Sequence, residues 1–407
     1  MRENDFSKSN VDEEYLPYKK LAAMGFLIDE TILTKYTGEG GAVTVPEGVE
    51  NVGEKSFYNN RLVTAVTLPS TLVYVGRKAF SGCKNLVSVE IPEGVTMIGE
   101  DAFWGCENLV SVVIPSTVTN IWEGAFAGCK KLVSIIVKEG NPVYHSDRNC
   151  LIHTESKTLV AGCSKSVIPT DGSVEVIGVA AFRNCDAMTS LHIPTAVKRI
   201  EKNAFWSCDG LTRVTIPAGV TYVDQNAFWY CDSLSHITVE EGNPVYHSEG
   251  ECLIDTAAKR VVIGCKASVI PSDGSVTEIG VSAFSWYTEL GDITLPEGLL
   301  KIGDWAFCGC SGLKSIVIPA GVTEIGKSAF SWCDGLTSLL IPASVKSIGQ
   351  EALHGCPALK EIIFDGSQTE WNEVQKGENW LDGDVLLDPA ARLAEILRCT
   401  KDELIVE

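Results

Sequence analysis

AFSGCKNLVSVEIPEGVTMIGEDAF, residues 79–103, opens and closes on the same Ala-Phe pair. The phenylalanine recurs at 57, 80, 103 and 126, then at 182, 205 and 228, then at 284, 307 and 330, with Leu353 in the same slot. Within each group the step is 23 residues. A fixed period of this size is the mark of a solenoid, in which each coil buries its apolar side only against its neighbours. Inside one period, Leu86, Val89 and Ile91 are apolar while Ser88 and Glu90 are polar, so 88–91 alternates at the spacing of a strand. Pro92 ends that strand because it has no N–H to donate. Val95 and Ile98 begin a second extended leg, and Gly99 turns the chain toward the next Ala-Phe plug. Twenty-three residues leave no room for a long helix. The expectation is a mainly β repeat solenoid with a parallel sheet along one side and helix confined to terminal caps, wound right-handed by the rule for parallel connections.

Cysteine follows the same period. Cys83, Cys106, Cys129, Cys185, Cys208, Cys231, Cys310, Cys333 and Cys356 all stand three residues after the phenylalanine or its leucine substitute. The chain has fifteen cysteines, an odd number that cannot pair completely. One per coil at one position reads as a column of small buried thiols.

The pattern Ala-Phe-x-x-Cys-x-x-Leu-x-x-Val-x-Ile-Pro-x-x-Val-x-x-Ile-Gly resembles the BspA-type (bacterial surface antigen-like) leucine-rich repeat. The segments KYTGEGGAVTVPEGVENVGEKSF (35–57) and FDGSQTEWNEVQKGENW (364–380) resemble the flanks of that family, so the likeness spans roughly 40 to 380. It implies a leucine-rich-repeat fold and, as in many members, an adhesive role at the cell surface.

Two interruptions break the period. The steps from Phe126 to Phe182 and from Phe228 to Phe284 are 56 residues. Both carry one text, NPVYHSDRNCLIHTESKTLVAGCSKSVIP (141–169) and NPVYHSEGECLIDTAAKRVVIGCKASVIP (243–271). Each reads as a hairpin, from runs around Val143–His145 and Cys150–Ile152, followed by a further extended run. The expected organisation is an N-terminal cap over 1–40, the repeat array over 41–364 with inserts at 141–169 and 243–271, and a C-terminal cap over 365–407. In that cap Asp388-Pro389 starts a helix carrying Leu393, Ile396 and Leu397 on one face.

Charge and motifs narrow the function. A net charge of −20, heaviest beyond Glu361, argues against nucleic acid and anionic membranes. No apolar run is long enough to span a bilayer, so membrane insertion is not expected. The first twenty residues have no apolar core of the secretory type. A cytoplasmic chain is expected if this is the whole protein, and a secreted or surface one if a leader has been removed. The inserts offer zinc-type ligands in His145, Cys150, His153 and Cys163, repeated as His247, Cys252, Asp255 and Cys265. Cys150 and His153 would point to opposite faces of one strand, so no metal site and no cofactor are expected. There is no nucleophile elbow, phosphate loop or HExxH helix, and no catalytic residue is assigned.

The solvent-facing strand slots, eight and ten residues after each phenylalanine, hold no adjacent carboxylates for acid–base chemistry. They do hold Glu90, a polar set in His192, Arg213 and His236, and apolar pairs in Val113 with Ile136 and Val317 with Leu340. An interaction face looks like this, although β-branched neighbours also pack so in ordinary sheets. Just after the phenylalanine come Tyr58, Trp104, Trp206, Trp229, Tyr230, Trp286 and Trp332, which could form a binding ridge or simply stack between coils. The expected function is non-enzymatic binding of a protein or glycan partner. The alternatives are a polysaccharide-cleaving hydrolase or lyase, and a plain structural spacer.

Overall fold

The structure, a computed structural model, describes residues 20–381 and 389–403. Two compact units share the chain, one of residues 1–169 with 178–185, the other of 170–177 with 186–407. Both are built from the 23-residue coil, and both are β-solenoids with very little helix.

Each coil is tied to the next at three places. The first is the expected strand: in the first unit Val63–Thr67 pairs in parallel with Ser88–Glu90, each residue meeting the one 23 further on. The second is a ladder formed by the extended leg, shortened to two residues per coil. Asn51–Val52, Tyr74–Val75, Met97–Ile98 and Asn120–Ile121 pair in sequence, all parallel. The repeat pattern predicts one sheet on one side; the leg after the proline also has β pairing because its alternate N–H and C=O groups face the adjacent coils. The third tie is the plug. The N–H groups of Phe57, Phe80 and Phe103 donate to Ala79, Ala102 and Ala125 of the next coil at 2.8 Å.

The plug also packs. Phe57, Phe80, Phe103 and Phe126 stack with ring centres 4.8, 5.2 and 5.6 Å apart. Phe284, Phe307 and Phe330 do the same in the second unit, at 5.2 and 5.4 Å. These rings are at most 2% exposed, which is worth about 1.5–3 kcal/mol each in transfer from water. The cysteines lie beside them as thiols outside any disulfide. They are more than filler. Cys83, Cys106, Cys129, Cys231, Cys310, Cys333 and Cys356 each direct Sγ at the carbonyl of the preceding coil's phenylalanine, at 3.0–3.3 Å. An alanine would leave that carbonyl with one partner fewer and a small void where the sulfur stood. Burial pushes the Cys83, Cys129 and Cys231 thiols up to about 12.

The inserts form three-stranded antiparallel units. In the second, Tyr246–Glu249 pairs with Cys252–Asp255, and that strand with Arg260–Ile263. Arg260–Ile263 then pairs in parallel with Glu278–Ile279, so the insert feeds back into the short-strand ladder. Just before each insert that ladder stops, at Asn120–Ile121 in the first unit and at Tyr222–Val223 in the second. A tyrosine closes each stop. The N–H of Ile121 donates to Tyr144 Oη at 3.0 Å, and that of Val223 to Tyr246 Oη at 3.1 Å. In an ordinary coil the acceptor would be the next coil's backbone; here a phenol takes its place. Asn141 and Asn243 anchor the same corner, each giving Nδ2 to two carbonyls of the coil before and taking two backbone N–H groups on Oδ1.

The ends extend the array further than the period indicates. At the N-terminal end Phe26–Asp29 pairs antiparallel with Ile32–Tyr36, which joins the short ladder beside Asn51–Val52. Beyond Phe364 the pairing does not stop. A helix over Gln368–Glu373, capped by Ser367 and Glu370, leads to Gln375–Lys376 as one more rung of the short ladder. The helix Pro389–Ile396 ends before Leu397, because Leu397–Cys399 is a strand beside Ile362–Phe364. The open edge of that sheet overrides the helical periodicity of AARLAEILRC. Asp388 lies outside the described residues.

Candidate functional site

The strand slots named from the sequence do face outward. In the first unit Val113 and Ile136 are directly paired and 38% and 49% exposed, and Glu90 stands opposite Thr67. In the second unit Val317 pairs with Leu340, and Leu340 with Ile363. Arg213 and His236 are opposite each other, both exposed, with Thr215 and Thr238 hydrogen-bonded beside them at 2.9 Å. His192 is exposed in the preceding coil, where the bridge Leu191–Val214 sets its register against this pair of strands. It therefore falls in the next row rather than in line with Arg213 and His236. Two acids in these slots, Asp292 and Glu361, are engaged. Asp292 Oδ1 accepts two N–H groups of the following coil, and Glu361 pairs with Arg398 at 3.0 Å.

The aromatic set divides. Trp206, Trp229, Tyr230 and Trp286 form one half-buried block, with ring centres 5.2–6.1 Å apart. Trp332 turns instead to His354, edge to face at 5.2 Å. Trp104 lies under the guanidinium of Arg183 at 5.5 Å, and Tyr58 is 46% exposed. A difference of one position explains part of this. Trp206 and Trp229 follow the phenylalanine by one residue, whereas Tyr230, Trp286 and Trp332 follow it by two. The second position has a positive φ in coil after coil, and Gly82, Gly105, Gly309 and Gly355 suit it. Tyr230, Trp286 and Trp332 adopt it at φ of 60°, 66° and 59°, where an ordinary side chain costs about 1–2 kcal/mol. The indoles of Trp286 and Trp332 then lie against Gly309 and Gly355 of the next coil, where a Cβ would come within 2.5 and 2.7 Å of the ring. Large rings are held on the surface in a strained backbone that glycine would occupy freely.

The insert residues with metal-binding chemistry do not converge. Among the described residues no three His, Cys, Asp or Glu side chains come together as a ligand set. His145 Nδ1 meets Thr154 Oγ1 at 2.9 Å and His153 Nδ1 meets Ser156 Oγ at 3.0 Å. In the second insert His247 meets Thr256 at 2.8 Å, and Asp255 pairs with Arg260 at 3.7 Å. Cys150 and Cys252 are buried, which pushes both thiols up to about 12, and Cys163 and Cys265 are buried beside Ser166 and Ser268. No helix among the described residues is long and apolar enough to cross a membrane.

Sequence reasoning passed over Tyr144 and Tyr246, whose hydroxyls end the short ladder, and the polar residues around the second stop. Tyr222 sends its hydroxyl to Asp224 at 3.1 Å and holds Arg199 over its ring at 4.1 Å. Burial raises the Tyr144 and Tyr246 phenols above their ordinary range. The available signal was the repeated NPVYHS, whose tyrosine sits 23 residues, one period, after Ile121 and Val223.

A model of the BspA type leucine rich repeat region matches residues 37–150, 156–273 and 258–374. The chain is similar in structure to a leucine rich cell surface protein from Faecalibacterium prausnitzii, at 27% identity and a TM-score of 0.53, covering 88% of this chain and 96% of that one. It is also similar to a leucine-rich repeat protein from Eubacterium ventriosum, at 22% identity and a TM-score of 0.47 over 86% and 81% of the two chains. A pneumococcal vaccine antigen matches at 20% identity and a TM-score of 0.41 over 83% and 82%. No curated protein matches.

Proposed function

Because the chain belongs to the BspA type leucine rich repeat family, we propose that it is a non-enzymatic binding scaffold whose repeat surface engages a protein or glycan partner. The observation that carries this reading is the block of Trp206, Trp229, Tyr230 and Trp286. Four large rings are gathered at one turn of consecutive coils, two of them in a backbone conformation that disfavours them. Strain of that kind persists where a function or strong packing holds it. Tryptophan and tyrosine supply much of the energy at binding surfaces, because each buries a large rigid face at little entropic cost. The exposed Arg213–His236 pair and the apolar pairs Val113–Ile136 and Val317–Leu340 offer further contacts on the strand face. Coils already locked by three ladders order nothing on binding, so each adds area without a folding cost. A cell-surface location fits the name of the Faecalibacterium neighbour.

The test is retention of the protein on immobilised glycans and proteins, compared with the Trp206→Ala/Trp229→Ala variant. Loss of at least about tenfold in affinity is expected if the block is the contact. Unchanged affinity removes the block from consideration and leaves the strand face. Protease added to intact host cells gives the location: digestion places the chain outside, and survival until lysis places it within.

A further inference from the structure

The stop in the short ladder of the second unit leaves a cleft of about 500 Å3 where the next coil would lie, a size within the range of small-molecule sites, roughly 300–1,000 Å3. Its polar lining includes Tyr222, Asp224, Gln225, Tyr246, Asp255 and Arg260. We propose that this cleft binds a neutral sugar residue. The inference does not rest on the aromatic block, none of whose residues lines the cleft.

The argument is one of donors and acceptors. Arg260 is held by Asp255 at 3.7 Å and is about two-fifths exposed, so its remaining N–H groups are open to a ligand. Tyr246 Oη accepts the N–H of Val223, which leaves its own proton to donate. Asp224 is oriented by Tyr222 Oη and by the N–H of Asn226 at 2.9 Å, and Asp255 by the N–H of Ala258 at 2.9 Å, each carboxylate keeping acceptor capacity. Two carboxylates oppose an anion and the guanidinium opposes an amine. A ligand whose groups each donate and accept satisfies all of them, and sugar hydroxyls do so. Tyr222 adds a ring, braced by Arg199 from outside the cleft, on which the C–H face of a sugar can lie.

The duplicated cassette supplies the control. An offset of 102 residues maps Tyr246 onto Tyr144, so the tyrosine that ends the ladder is the same in both. The lining differs: Tyr222, Asp224, Gln225, Asp255 and Arg260 correspond to Asn120, Trp122, Glu123, His153 and Thr158. Those residues stand at the same register in a folded copy. Tyr222→Asn/Asp255→His/Arg260→Thr therefore imports side chains the frame already carries.

The experiment is ligand-observed NMR on the full chain, with methyl glycosides of neutral hexoses and N-acetylhexosamines. Saturation transfer to at least one, with a Kd on the order of 1 mM, is expected for a single sugar in an open site. The three-residue swap is expected to weaken it at least about tenfold with its circular dichroism and melting temperature retained, and Gln225→Ala, on the exposed rim, to weaken it less. Trp206→Ala/Trp229→Ala is expected to leave it unchanged, so failure here and failure of the aromatic block read out separately. Absence of transfer from every neutral sugar overturns the proposal. So does transfer that survives the swap, or binding confined to sulfated or phosphorylated sugars, which would make Arg260 an anion site.

Discussion

An ordinary coil and a cassette solve one problem by different means. In the coil, backbone meets backbone: N–H groups of the short strand find carbonyls 23 or so residues away, and the side chains supply chiefly apolar volume and the cysteine Sγ contact. In the cassette the neighbouring coil is displaced and side chains stand in for it. Tyr246 takes the N–H of Val223, Ser248 takes that of Val239 at 2.9 Å, and Asn243 bonds four backbone groups. Coils should therefore tolerate changes of polar residue and suffer from loss of volume. Cassettes should show the reverse, failing on single polar atoms.

The largest effect tests the coil. Phe205→Ala opens a cavity against the ring of Phe228 and is expected to cost about 3–5 kcal/mol, read from urea unfolding followed by tryptophan fluorescence. A cost below that of the cassette changes would break the contrast. Asn243→Ala comes next, at about 2–4 kcal/mol, because it strips partners from two carbonyls and two N–H groups at once. Tyr246→Phe removes one oxygen and keeps the ring. It should cost about 1–2 kcal/mol and speed hydrogen exchange at the amide of Val223, where an unaltered exchange rate would show that the phenol is not the acceptor. The smallest effect is alkaline. The Cys231 thiol is raised from 9.0 to about 12 in the fold. Its contribution is whole below pH 9 and is lost as pH rises toward 12, since the unfolded chain releases the proton first. Cys231→Ala should flatten the fall in stability between pH 9 and 10 by at most about 1.4 kcal/mol per pH unit.

How much of this was legible follows from the same contrast. The period of Phe57 to Phe126 and the Cys83 column disclosed the coil, because apolar burial repeats in register with the chain. The short ladder was half visible, since a two-residue strand such as Met97–Ile98 carries no alternation of its own. Leu397 has helical spacing from Leu393, but the pairing partner that captures it, Ile362, lies 35 residues earlier. The cleft left no local trace. Tyr222, Tyr246, Asp255 and Arg260 are scattered over some 39 positions and meet only because a ladder stops there. The aromatic residues were legible as a set, but not their division, which depends on whether a ring sits one or two positions past the phenylalanine.

The tyrosine at each ladder stop has a consequence for how the chain is made. Bonds between coils close over a nearly constant interval, as in Phe57 to Ala79, Thr96 to Val73 and Gly76 to Val52. A ribosome adding about 5–20 residues per second completes one such interval in about 1–5 s, so each coil can settle soon after it emerges. A cassette stretches the step between plugs to 56 residues, a delay of about 3–11 s at the same pace. Yet Tyr144 reaches Ile121, and Tyr246 reaches Val223, across 23 residues in both cases. The growing edge is sealed on schedule, and the nascent chain does not have to carry an open ladder while the rest of the insert is still being synthesised.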